Sequence, residues 1–424
     1  MDATPACIRL PREIVDLITE DFQDDKETLS ACCRISQSAD TWTASCRAHI
    51  FKDVTVHVRR GRSIERFIRS LDTARFVSEN IQLLCIRRDV ERYAPCSIDA
   101  GVVHLLLRKL PRLRELSLQR LYCAVQQDMP AHDLGFRLTT LKYRPEQVDP
   151  TTLSAFLQIL SLFAEVGELH FQPLPWAELK QRLVVPTTSL PVINSLIFEG
   201  ARYPMLALTR DVLQITSLDS LGLPFQLLGT GETEFTAMLA YYGENLRELQ
   251  IQLGDVPAIV PRKTWQGMQL EALTSLESVT LVISTSDSMN ESRKYRGRSI
   301  MNCLAVLPSA RLSEINLIFA VPEKDIRTGY KCWDNAAYGY KRWENAAYSS
   351  YARSKLSPLD KAVSQLPSLK KVYFGWTVGN VYCHKYPVIV ESDICLWRAW
   401  HDTHCADIAS NFPLLSEHGL LSFQ

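Results

Sequence analysis

The chain has 424 residues, 46% of them apolar, with 47 Lys and Arg against 47 Asp and Glu. A formal charge of zero supplies no global field to gather nucleic acid or an anionic membrane, so any partner is selected by local surface. Twelve scattered cysteines form no dense disulfide framework, no apolar run is long enough for a membrane span, and neither a leader pattern nor a lipidation motif is visible, so a soluble intracellular protein is expected.

From Leu10 to Val56 the chain reads Leu10-Pro11-x-Glu13-Ile14-Val15-x-Leu17-Ile18, then Leu29, Ala31-Cys32, Ile35-Ser36, Trp42 and His49-Ile50-Phe51, running into Val54 and Val56. Pro11 suits the first turn of a helix, where a missing N–H costs nothing. Ile14, Leu17 and Ile18 fall on one face at three- and four-residue spacing. Asp24 and Asp25 precede a second helical stretch with Leu29, Cys32 and Ile35 on one side. A segment this short has too little apolar surface for a core of its own. The run resembles an F-box, and looks most like the F-box-like proteins of mushroom-forming fungi. Trp42 departs from that pattern by lying six residues after Ser36 instead of about three, which shifts or lengthens the third helix. The resemblance implies a three-helix unit over residues 1–52 that docks the Skp-type linker subunit and, through it, a cullin. Leu10, Pro11, Ile14, Ile18, Leu29, Ile35 and Trp42 are the candidate linker-facing residues. Without the resemblance, the same helices read as an N-terminal cap on the domain that follows.

Beyond residue 52 the pattern L-x-x-L-x-x-L-x-L appears at Leu110/Leu113/Leu116/Leu118, Leu273/Leu276/Val279/Leu281 and Leu366/Leu369/Val372/Phe374, with weaker copies between. The first strand residues fall at 54, 84, 116, 141, 169, 196, 221, 249, 279, 315 and 372, in steps of 30, 32, 25, 28, 27, 25, 28, 30, 36 and 57. Most steps lie near the leucine-rich-repeat period of roughly 20–29 residues. Between strands the apolar period changes to 3.6. Asp149-Pro150 caps a stripe of Leu153, Phe156, Leu157, Leu160 and Phe163; Ser357-Pro358 caps another; Phe235, Met238, Leu239 and Tyr242 form a third, ended by Gly243 at C′. The expected fold is α/β: an irregular right-handed leucine-rich-repeat horseshoe over 53–380, parallel sheet inside and helices outside, closed by a helical cap over 381–424. Residues 284–300 and 321–357 interrupt the phase. The second insertion holds a tandem duplication at 329–348 that reads as a surface loop, with protein contact or base stacking as alternatives.

Catalytic motifs are scarce. Gly229-Thr-Gly231 lacks the rest of a phosphate-binding loop, and no G-x-S-x-G, H-E-x-x-H or C-x-x-C occurs. Cys383, His384, Cys395, His401, His404 and Cys405 match no common zinc spacing, and Ile394, Trp397, Trp400 and Ile408 around them read as a capping helix. No enzyme activity, cofactor or metal is expected.

In each x-L-x-L-x strand the leucines point inward, so the x positions line the concave face. Those are Glu115, Ser117 and Gln119; Lys142 and Arg144; Glu168, His170 and Gln172; Glu199; Glu248, Gln250 and Gln252; Glu314 and Asn316; Lys371 and Tyr373. With the resemblance, they imply a substrate-recognition adaptor of a ubiquitin ligase, cytoplasmic or nuclear, with a protein substrate on this face and neither nucleic acid nor membrane as partner. The alternative is a repeat scaffold outside any ligase.

Overall fold

A computed structural model describes residues 12–21, 26–35, 40–58, 62–88, 97–126, 135–145, 150–172, 190–198, 205–224, 232–253, 262–284, 299–300, 302–308, 310–321, 357–364, 366–378 and 413–423. The duplication at 329–348 and the Cys383 to Cys405 cluster lie outside them. The chain divides into two compact units, Met1–His170 with Glu178–Ile193, and Phe171–Ala177 with Asn194–Gln424.

The first unit opens with α1 (Arg12–Asp21), α2 (Lys26–Ile35) and α3 (Asp40–Ile50), and α3 packs against both others. On α1, Val15 and Thr19 are fully buried while Ile14 and Leu17 face out. A threonine tolerates that interior because its hydroxyl is satisfied twice: Thr19 Oγ1 donates to the Val15 carbonyl oxygen at 3.0 Å and lies 2.6 Å from Ser45 Oγ on α3.

Strands β1 (Asp53–Val58), β2 (Leu83–Arg88), β4 (Glu115–Gln119), β6 (Phe136–Arg144) and β7 (Phe163–Phe171) follow one another in sheet order, while β3 (Ser97–Asp99) and β5 (Tyr122–Ala124) form a separate parallel pair. Pairing is parallel and keeps the repeat phase: Val54, Leu84, Leu116 and Leu141 are register partners in turn, as are Val56, Ile86, Leu118 and Tyr143. Helices α4 (Arg62–Thr73), α5 (Arg75–Asn80), α6 (Ala100–Lys109) and α7 (Pro150–Leu160) fill the connections. The ring of Phe156 on α7 stacks on Tyr143 at 4.1 Å, which puts the helix on the leucine face of the sheet. Phe163 opens β7 instead of closing the α7 stripe, and Asp149 lies outside the described residues.

The second unit repeats this plan with β8 (Val192–Phe198), β9 (Ser220–Pro224), β10 (Glu248–Leu253), β11 (Ser278–Ser284), β12 (Glu314–Val321), β13 (Lys371–Val378) and β14 (Leu421–Phe423). Leu196, Leu221, Leu249, Val279, Ile315, Val372 and Leu421 form one unbroken register. Because β12 pairs directly with β13, the 57-residue step conceals no further rung. One main-chain device recurs in both units. The carbonyl preceding a strand accepts two consecutive N–H groups from the next: Gln82 from Arg114 and Glu115, Arg247 from Glu277 and Ser278, Ser313 from Lys370 and Lys371.

α8 (Met205–Ala207), α9 (Glu232–Tyr242), α10 (Arg262–Gly267), α11 (Ser357–Ser364) and α12 (Pro413–Glu417) lie between these strands. Gly243 follows α9 directly, as its C′ position requires. A Cβ there would sit 2.3 Å from the Leu239 carbonyl oxygen and 2.7 Å from Leu273 Cδ2, so the position demands the absence of a side chain. The side chain of Phe235 is outside the described set.

The purely helical C-terminal cap is also corrected: Leu421–Phe423 is a strand, with Phe423 beside Phe374 at 6.2 Å between ring centroids. What anchors it is Asp360 on α11, buried, whose carboxylate oxygens accept from the Leu415 N–H at 2.9 Å and the Leu414 N–H at 3.0 Å. Asp360→Ala removes both bonds and is expected to cost about 2 kcal/mol. Hydrogen exchange should then accelerate at Val372 and at 421–423 before the rest of the unit; unchanged protection there would show that β14 is held by packing alone.

Candidate functional site

Two surfaces come from the candidate residues. On the three N-terminal helices, Leu29 is only 1% exposed and supports the packing of α2 on α3, so it offers no surface, a correction to its candidate role. Ile18 and Trp42 are half-buried. Ile14 is 42% and Leu17 60% exposed, one helical turn apart on α1. Leu17, absent from the candidate set, is thus its most open apolar neighbour, readable from the same three-residue spacing. Leu10, Pro11 and the side chain of Ile35 lie outside the described residues.

The Cys46 thiol is buried in this segment, with Cys32 and Cys33 half-buried. The Cys46 thiol is pushed up to about 12 by burial, with the neighbouring Cys33 and Cys32 adding to it, and Cys33 Sγ lies 3.9 Å from the Thr43 carbonyl oxygen. Such a thiol stays protonated and packs as a small apolar group.

The strand face is less open than expected. In the first unit Glu115, Ser117, Lys142 and His170 are buried. Lys142 Nζ donates to Glu115 Oε1 at 2.6 Å, with about nine-tenths of both side chains covered, and His170 Nε2 meets Glu168 Oε1. Lys142 and Glu115 thus hold each other's charge, and His170 Nε2 is taken up by Glu168 within the chain, which corrects the reading of these positions as free contact residues. Burial raises the Asp53 carboxyl, opposed by Lys26 and Lys142, and raises the Cys85 thiol, opposed by its hydrogen bond with Ser117 and by Arg87 and Arg144. Toward the strand ends the face opens: Gln119 and Arg144 are half-buried, His57 and Arg87 exposed.

In the second unit Glu248 is exposed, and Gln250, Asn316, Lys371 and Tyr373 are half-buried. Asn316 Nδ2 donates to Glu314 Oε1 at 2.9 Å and to Thr280 Oγ1 at 3.3 Å, and Lys371 Nζ sits 4.0 Å from the Tyr373 ring centroid. Gln252 is 3% exposed, and neither its Oε1 nor its Nε2 has a hydrogen-bond partner. Glu199 lies outside the described residues, and Gln172 is exposed at the end of β7.

The register joins His57, Arg87, Gln119 and Arg144 into one row. His57 and Arg87 belong to it by the same two-residue alternation that marks Arg144, yet their strands carry only the shorter apolar pairs Val54/Val56 and Leu84/Ile86. Among the described residues no group of three or more His, Cys, Asp or Glu side chains is placed to hold a metal, and no helix is long and apolar enough to cross a membrane. No protein-family model matches the chain, and no curated protein matches its sequence.

Proposed function

We propose that this chain is a substrate-recognition adaptor of a Skp–cullin–F-box ubiquitin ligase, with an F-box over residues 1–52, a leucine-rich-repeat-like domain over 53–380 and a C-terminal cap over 381–424. The observation that carries the reading is the apolar stripe of Ile14 and Leu17, left in solvent while Val15, Thr19, Leu29 and Cys46 complete the internal packing. An exposed apolar pair on a helix that already has a core suits a protein interface. A regular parallel sheet with a polar row of side chains suits a second, different partner. The chain itself does no chemistry in this reading. It holds a lysine-bearing substrate beside a charged ubiquitin-conjugating enzyme and so replaces a bimolecular encounter by one at roughly millimolar effective concentration, in the cytoplasm or nucleus.

The test is co-purification with the Skp-type linker and cullin. Ile14→Ala with Leu17→Ala is expected to weaken linker capture more than about tenfold with unchanged circular dichroism, since a few central apolar anchors dominate such interfaces. Undiminished capture removes the adaptor reading. Retention of other partners by a chain that never captures linker supports a scaffold outside any ligase.

A further inference from the structure

Six cysteines lie among the described residues, and their surroundings differ. Cys123 and Cys303 are buried, burial is the first cause raising each thiol, and no other cysteine contributes to either. Cys85 is half-buried and hydrogen-bonds with Ser117. Among the six, thiols meet one another only on α2 and α3: Cys46, fully buried on α3, has Cys33 as a side-chain hydrogen-bond partner, with Cys32 close by.

The two helices bring these sulfurs together by their ordinary spacing. On α2, Leu29 is buried, and Cys33 stands four residues later, one turn along the same face. On α3, Thr43 precedes Cys46 by three residues and shares its face. Cys33 Sγ lies 3.9 Å from the Thr43 carbonyl oxygen. A helical side chain leans over the turn N-terminal to its own Cα, so the Cys46 thiol is directed over the turn that Cys33 Sγ already touches. Cys32 does not compete for Cys33. Successive residues on a helix point about 100° apart, so those two sulfurs diverge, and a bond between them would unwind α2. Nor is the trio arranged to hold a metal.

We propose that Cys33 and Cys46 form a peroxide-sensitive disulfide site that reversibly staples α2 to α3. The oxidant is hydrogen peroxide. Cys33 is half-buried and is the thiol of the pair that solvent reaches; its thiolate attacks one peroxide oxygen, the O–O bond breaks, and the hydroxide released takes up a proton and leaves as water. The Cys46 sulfur then attacks the sulfur of the Cys33 sulfenic acid, the S–O bond breaks, and the departing hydroxide carries off the Cys46 proton as a second water. Two thiols are oxidised by two electrons in all, and one peroxide is reduced to two waters. A dithiol reverses the bond by exchange. Because Cys46 is protonated and shielded, it reacts only with a sulfenic acid formed in contact with it, which confines the bond to this pair.

The full chain is treated with hydrogen peroxide, remaining thiols are blocked with N-ethylmaleimide, and tryptic peptides are mapped by mass spectrometry without reduction. Trypsin cleaves after Lys26, Arg34 and Arg47, so Cys33 and Cys46 fall in separate peptides, 27–34 and 35–47, that only a disulfide joins. The joined pair is expected at least about tenfold above any linkage through Cys85, Cys123 or Cys303, since oxidation follows access and a partner thiol in contact. It should disappear with dithiothreitol, persist in Cys32→Ser and be absent from Cys33→Ser, with circular dichroism checking each fold. In Cys46→Ala the Cys33 sulfenic acid has no resolving thiol and should be trapped by dimedone. Hydrogen exchange in 26–35 and 40–50 should slow on oxidation and recover on reduction. Absence of the joined pair, its survival in Cys33→Ser, a bond between Cys32 and Cys33 instead, or exchange unchanged by oxidation overturns the proposal. The readout is on the chain alone, so it stands or falls apart from linker capture.

Discussion

Leu249→Asp is expected to unfold the second unit. Leu249 is buried in β10 and stands between its register partners Leu221 and Val279, with Leu196 and Ile315 one strand further on either side. A carboxylate there meets only aliphatic neighbours along its row. It must either lose its hydration without a partner or take up a proton and still leave its polar atoms unsatisfied, and the lost leucine adds a cavity; together these exceed about 5 kcal/mol, comparable to the net stability of a whole domain. Because each strand of a stacked repeat is held by its neighbours, the damage spreads along the ladder. Far-UV circular dichroism and thermal melting should show loss of the cooperative transition. A melt like that of the parent would mean that the side chain at 249 can reach water.

Lys142→Ala acts through charge instead of volume. It leaves the Glu115 carboxylate buried without its cation, a change expected to cost about 3–5 kcal/mol in chemical denaturation. Replacing the pair together, Glu115→Gln with Lys142→Met, should recover most of that loss, because no charge is then left uncompensated. The pH dependence has a definite sign. Burial already raises the Asp53 carboxyl, and Lys142 is one of the two cations that hold it down. Without Lys142 its folded-state pKa rises further above the unfolded value, so the native state binds more protons than the unfolded one across that interval and stability falls with rising pH there. The Lys142→Ala deficit should therefore shrink as the solution is acidified toward the raised Asp53 pKa. A deficit independent of pH would mean that Asp53 does not sense the lysine.

Linker capture by the Ile14 and Leu17 variant bears on function, whereas Leu249 and Lys142 bear on the scaffold. The two sets are separable because Ile14 and Leu17 are solvent-facing and contribute little to the core.

The leucine phase of the strands was legible in the sequence because a parallel ladder in fixed register buries the same two strand positions in every repeat, so one spacing recurs wherever the chain returns to the sheet. That spacing alone aligned Val54 with Leu84 and Ile315 with Val372 across steps as different as 30 and 57 residues. It could not supply β14, whose Leu421–Phe423 is too short to show a period and is fixed by Asp360, 54 and 55 residues away from the amides it accepts. Nor could spacing say which way α1 turns: Ile14, Leu17 and Ile18 share a face on any helix, and only the packing of Thr19 against Ser45 on α3 turned Val15 inward and left Ile14 and Leu17 in water. On the polar face, alternation named Glu115, Lys142 and Arg144 as equivalent positions. Tertiary structure made them unequal, since pairing between neighbouring strands neutralises Glu115 with Lys142, while Arg144 lies one register row further along, where the covering of the face thins. A local period is a property of one strand and survives in the sequence; burial and charge pairing arise between strands, and depend on which residues the fold sets side by side.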